Sequence, residues 1–141
     1  MKVLVVLPER VPFVKNIGAS LESLRDEVGG NIQAIYPFAE CNACIVCNDE
    51  GKLLGLPLNR ALRDEEGTVY DIISGKFLVV GVGEENFTDL DQEQLFKYAE
   101  MFEAPEMFVS RNGVWEVLTP KDIAEKCDEI IEHYYDDEYE R

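Results

Sequence analysis

Val69-Tyr70-Asp71-Ile72-Ile73-Ser74-Gly75-Lys76-Phe77-Leu78-Val79-Val80-Gly81-Val82 decides the fold class of this 141-residue chain. Two runs of mainly β-branched and aromatic residues flank a Ser-Gly pair. Side chains of that kind suit a pleated, half-buried surface, and Ser-Gly is a turn signal. The stretch predicts two strands, 69–73 and 77–82, turning at Ser74-Gly75.

Toward the N-terminus, the apolar run 3–7 predicts a buried first strand, closed by Pro8, and 13–17 predicts a second. Ser20 is a good N-cap for a short helix carrying Leu21, Leu24 and Val28, which Gly29-Gly30 stops. Residues 32–38 and 44–48 supply two more strands, the latter followed by a turn at Asp49-Glu50-Gly51-Lys52. The apolar segment 53–62 is interrupted by Gly55 and Pro57 and reads as a loop packed against the core. The fold class expected is α+β: a mainly antiparallel sheet of five to six strands with one helix, over residues 1–83.

After Gly83 the pattern changes. Thr88 or Asp89 can cap a helix carrying Leu95, Phe96, Ala99 and Phe102, and Pro105 ends it. Asn112-Gly113 between 107–109 and 114–118 marks a hairpin. Thr119-Pro120 opens a last helix with Ile123, Cys127, Ile130, Ile131 and Tyr134 on one stripe. Residues 84–141 thus read as an acidic helix–hairpin–helix part, packed on the 1–83 core as one domain.

Two segments carry a family resemblance. The first is Leu21-Glu22-Ser23-Leu24 followed by Val28-Gly29-Gly30-Asn31-Ile32. The second, more specific, is Cys47-Asn48-Asp49-Glu50-Gly51-Lys52-Leu53-Leu54-Gly55-Leu56-Pro57-Leu58-Asn59-Arg60-Ala61, with Ile73-Ser74-Gly75-Lys76-Phe77 further on. Together these resemble a bacterial and phage domain family of unknown function, found on conjugative elements and prophages and sometimes near antirestriction genes. The resemblance implies a mobile-element setting and no particular activity.

Charge narrows the partners. With 29 acidic and 13 basic residues the net charge is −16. Phosphate-mediated nucleic-acid binding needs the opposite sign, and an anionic membrane surface is disfavoured for the same reason. Residues 1–83 hold 11 acidic and 8 basic side chains (net −3), whereas 84–141 hold 18 and 5 (net −13). No apolar run approaches the roughly 20 residues that span a bilayer, and the short run before Pro8 does not make a signal peptide, so a cytoplasmic location is expected.

Little chemistry can be assembled from the residue types. Cys41, Cys44 and Cys47 form a Cys-x-x-Cys-x-x-Cys run, and Cys127 is a fourth thiol. On a strand Cys44 and Cys47 point to opposite faces, so packing is the better reading and no metal or cofactor is assigned. His133, the single histidine, has no visible partner for general-base work. Gly81-Val82-Gly83 lacks the further spaced glycine of a nucleotide loop. No catalytic residue is assigned.

Two groups of residues remain as binding candidates. Asn48, Asn59, Arg60 and Arg63 lie in or beside the Gly-Leu-Pro loop, where asparagine amides and arginine forks suit recognition of a small ligand. Asp122, Glu125, Glu129, Glu132 and Asp136 recur at steps of three and four along the last helix and form an acidic face. The function expected is a non-catalytic interaction protein that binds a basic or DNA-binding host protein through that face, as a DNA mimic or antirestriction-like protein does. The alternative is a small-ligand-binding module using the Gly-Leu-Pro-Leu-Asn-Arg loop.

Overall fold

A computed structural model describes residues 1–118. The expected last helix, with Cys127, His133 and the five acidic candidates Asp122, Glu125, Glu129, Glu132 and Asp136, lies outside the described residues. The chain divides into two compact units, Met1–Pro105 and Glu106–Arg141.

The first unit runs β1 (Lys2–Val6), β2 (Phe13–Asn16), α1 (Leu21–Val28), β3 (Ile32–Ile35), β4 (Ala43–Asn48), β5 (Leu58–Arg63), β6 (Val69–Ser74), β7 (Phe77–Val82), β8 (Phe87–Thr88) and α2 (Gln92–Met101). One antiparallel sheet has the order β2-β1-β7-β4-β3, with β8 added against the end of β7. β5 and β6 form a separate antiparallel ribbon. The α+β class with a mainly antiparallel sheet is therefore correct, with α1 the one helix within residues 1–83 and α2 the helix expected after Gly83.

Both faces of the central strands are buried. β4 is buried at all six positions and β7 at the first five. Alternate side chains feed two cores. Val3, Val5, Cys44, Val46, Leu78 and Val80 join Leu24 and Val28 of α1 on one face. Leu4, Val6, Ile45, Cys47, Phe77 and Val79 join Tyr98 and Phe102 from the α2 segment and Leu62 and Ile73 from the ribbon on the other.

Two-sided burial explains why Ser74-Gly75 is not a hairpin turn. An almost unbroken apolar strand such as Phe77–Val82 needs a neighbour on each edge, and its neighbours are β1 and β4. β6, with Val69 and Tyr70 exposed, pairs with β5 instead. At Gly75 the chain changes layer: its φ of 84° lies in the left-handed region.

Three local expectations are corrected. Residues 58–62 are not loop but strand, the body of β5, starting directly after Pro57; the inward residues Asn59 and Arg60 are polar, which hid its pattern. Strand β3 stops at Ile35, short of Tyr36-Pro37. The N-cap of α2 is Asp91, neither Thr88 nor Asp89; its side chain accepts from Gln94 N–H while Gln94 reaches back to the Asp91 N–H, a capping box. Thr88 is in β8. By contrast, Ser20 caps α1 and Gly29 ends it in the left-handed conformation, as expected.

A partly buried ion triplet fastens α1. Glu27 accepts from Lys15 of β2 at 2.8 Å and from Lys76, just before β7, at 2.6 Å. Burial pushes the Glu27 carboxyl up, but the two lysines outweigh it and hold it below its ordinary value. A carboxyl depressed in the folded state is protonated more readily in the unfolded chain. Its contribution is thus complete above the unfolded pKa and lost as pH falls through the folded one. Glu27→Gln should lower stability at neutral pH by about 1 kcal/mol, Lys15 being half-exposed. In urea titrations the gap from wild type should close below about pH 4.

In the second unit, β9 (Met107–Arg111) and β10 (Val114–Leu118) form the expected hairpin. Asn112 and Gly113 both have positive φ, 52° and 80°, the signature of a type I′ turn.

Candidate functional site

The four loop candidates are held by the fold in different ways. Asn48, buried at the end of β4, donates from Nδ2 to the Val28 carbonyl at 3.1 Å, and its Oδ1 accepts from Glu50 N–H at 2.8 Å. It ties the end of α1 to the turn that follows. Asn59 is fully buried and donates to the Val6 and Gly75 carbonyls, both at 2.9 Å, while its Oδ1 accepts from Arg60. Arg63 ends β5 and is exposed.

Arg60 is the most deeply engaged. It is 0% exposed and donates to the carbonyls of Phe102 (3.2 and 3.0 Å), Arg10 (2.6 Å), Leu7 (3.5 Å) and Asn59 (3.1 Å). Phe102 is the C-cap of α2, so the guanidinium satisfies a helix-end carbonyl where a cation is also favoured by the helix dipole. The pair that looked poised to recognise a ligand staples β5, the loop after β1 and the end of α2. That use was not visible in sequence because the carbonyls of Phe102, Arg10 and Leu7 come from distant segments.

Beside the Asn48 turn lies a small polar cleft of about 220 Å³, whose walls include Gln33, Cys47, Lys52, Leu53, Asp71 and Ser74. Lys52 and Asp71 pair across its mouth at 2.6 Å. Burial first, with Asp71 and Asp49 adding, raises the Cys47 thiol to about 11, and burial raises Cys44 to about 11 as well. Both thiols stay protonated at neutral pH, which makes them poor nucleophiles. Their side chains lie in the two different cores and do not converge. Cys41 is exposed.

The larger concavity, about 650 Å³, runs between β2 and the outer side of α2. Val14, Leu90, Leu95, Phe96 and Ala99 give it an apolar floor, with Lys2, Asp91 and Gln92 at its margin. Phe96 is 70% exposed and Val14 50%. Glu93 and Glu100 are exposed and stand three residues before and four after Phe96, so they flank it on the helix surface. Of the apolar residues the sequence places on this helix, Phe102 is buried and Leu95 and Ala99 pack against the core, beside Gln94 and Tyr98, whereas Phe96 faces outward.

Tyr98 lies under that helix, stacked on Phe38 with ring centroids 4.3 Å apart. Its hydroxyl is buried and has no hydrogen-bond partner among the described residues. A buried hydroxyl that makes no bond contributes only its desolvation cost. Tyr98→Phe should leave stability unchanged or raise it by up to about 1 kcal/mol, as measured by denaturant unfolding.

The family model described as a domain of unknown function, DUF3846, matches residues 1–103. The chain belongs to this family. The DUF3846 match takes in α2 as well as the sheet, and so contains the Asn48–Arg63 motif, the polar cleft and the β2–α2 groove together. It stops close to Pro105, where the first compact unit ends. No curated protein and no solved structure matches the chain. No helix among the described residues is long and apolar enough to cross a membrane.

Proposed function

We propose that this DUF3846 protein is a non-catalytic, cytoplasmic interaction protein of a mobile genetic element, binding a basic host partner in the manner of a DNA mimic or antirestriction protein. The observation that carries this reading is the β2–α2 groove: an apolar floor with an exposed Phe96, Asp91 and Lys2 at its margin, and the exposed Glu93 and Glu100 one turn to either side of Phe96 on the helix. Exposed apolar surface rimmed by polar groups is a common form of protein-binding site, and exposed aromatics serve as anchors. The carboxylates set the preference for a basic partner, and the net charge of −16 speeds the encounter. The sequence-derived acidic residues Asp122, Glu125, Glu129, Glu132 and Asp136 add to that field.

The test is retention of host proteins on immobilised protein, eluted by a salt gradient. Partners held by wild type should be lost from Phe96→Ser and from the double variant Glu93→Lys/Glu100→Lys. Equal retention by all three proteins would refute the reading.

A second reading, a small-ligand module, is favoured by the polar cleft beside Asn48. Its volume lies below the roughly 300–1,000 Å³ of pockets that hold drug-sized molecules, so it fits only a ligand of few heavy atoms. Ligand-induced shifts confined to Gln33, Lys52 and Asp71 amides in a metabolite screen would support it, and their absence would remove it.

A further inference from the structure

The ladder between β1 and β2 fixes which way each backbone group of β2 points. Met1 and Ile17 exchange both hydrogen bonds, Ile17 N–H to Met1 carbonyl at 2.9 Å and the Met1 amine to Ile17 carbonyl at 2.6 Å. In an antiparallel pair such exchanging pairs alternate with non-exchanging ones. Counting along the register, Lys15 pairs with Val3 and Phe13 with Val5 as exchanging pairs, while Val14 opposite Leu4 and Asn16 opposite Lys2 are non-exchanging. The N–H and C=O groups of Val14 and Asn16 therefore face away from β1. β2 is the terminal strand of the sheet, and all four of its residues are exposed.

The same alternation places the Val14 side chain on the α2 face, where it lines the groove with Phe96, and Lys15 on the α1 face, where it pairs with Glu27. Among the described residues, an open strand edge and the groove thus share one residue. An unpaired edge is complementary to one kind of object, another extended backbone.

We infer that the basic partner binds as an added β-strand on the outer edge of β2, hydrogen-bonding to Val14 and Asn16. One apolar side chain of that strand enters the groove against Val14 and Phe96. Side chains two residues apart on a strand share a face, so a Lys or Arg two positions from the anchor reaches the carboxylates of Asp91, Glu93 or Glu100. The recognised segment has the pattern apolar-x-Lys/Arg. This inference rests on the protein-binding reading above and specifies the form of partner it takes.

The experiment uses the full chain and two synthetic probes: a capped eight-residue peptide, Val-Thr-Lys-Thr-Val-Thr-Lys-Thr, in which valine and lysine alternate on one face of the strand, and a capped basic amphipathic peptide designed as a helix. Binding is read by fluorescence anisotropy, and backbone engagement by amide hydrogen exchange at Val14 and Asn16. The alternating peptide should bind and slow exchange at both amides at least tenfold. Phe96→Ser should weaken it at least tenfold, and Val14→Pro, which removes an outward N–H and leaves the β1 ladder intact, should weaken it similarly. Replacing the peptide lysines by glutamates should abolish binding.

Binding that depends on Phe96 but is indifferent to Val14→Pro and leaves both amides unprotected would overturn strand addition while the protein-binding reading stands. Binding of the helical probe alone would do the same. Val14 and Asn16 amides already protected in the free protein would show the edge to be covered by the protein itself and would overturn the inference. If neither probe binds, both the inference and the reading beneath it fail.

Discussion

Arg60→Met should lower the unfolding free energy by about 3–5 kcal/mol, the range for breaking a buried charge network. Removing a buried charge can be harmless where its partners are also replaced. Here, beside the Asn59 side-chain oxygen, the acceptors include the backbone carbonyls of Phe102, Arg10, Leu7 and Asn59, which no side-chain substitution removes. Apart from the Leu7 carbonyl, which also accepts from Arg10 N–H at 3.4 Å, a carbonyl that loses the guanidinium must find another donor or admit water, and an orphaned buried polar group costs about 1–3 kcal/mol. Arg60→Lys should recover only part of the loss, because a single ammonium cannot reach acceptors arrayed around a planar fork. Urea titration of the three proteins checks this. A loss below about 1 kcal/mol for Arg60→Met would mean the guanidinium is not a staple.

Gly81→Ala should cost about 2–3 kcal/mol through overpacking. A Cβ at this position would approach the Asp89 carbonyl oxygen and lie 3.0 Å from the Thr88 carbonyl oxygen. These are backbone atoms, and the segment is pinned by the β7–β8 pairing and by the Leu90 N–H bond to the Lys2 carbonyl at 2.9 Å. The neighbour cannot yield without breaking those bonds. Gly67→Ala is the contrast. Nothing lies within 4 Å of its Cβ, so only the positive φ of 84° is penalised, by about 1–2 kcal/mol. Hydrogen exchange should separate the two: Gly81→Ala should expose the amides of residues 87–90, whereas Gly67→Ala should leave them protected.

Arg60 and Gly81 look different in sequence from what they are in the fold. Arg60 stood among the ligand-binding candidates and Gly81 was a weak nucleotide-loop signal. Their roles depend on which backbone atoms arrive beside them, and those come mostly from segments outside their own strands. The exposure of Phe96 was obscured for a related reason. Its apolar spacing with Leu95, Ala99 and Phe102 is that of a core-facing helix, but a short helix lying on a sheet has a broad shoulder. Only the position of β2 decides that Phe96 falls on the open side.

Local chemistry was legible wherever it is closed within a few residues. Ser20 and Gly29 bound α1, Asn112-Gly113 makes the β9–β10 turn, and the opposite directions of Cys44 and Cys47 follow from strand alternation alone. These elements, and the burial of the apolar strand Phe77–Val82, could be read from the chain because propensity, caps and alternation are short-range physics. The strand order β2-β1-β7-β4-β3, the pairing of β6 with β5, the burial of Asn59 and Arg60, and the open edge of β2 beside Phe96 were settled only when the whole chain packed. Pairing partners and buried acceptors are chosen by the competition to cover apolar faces and satisfy backbone groups across all segments at once, and no local pattern encodes who wins.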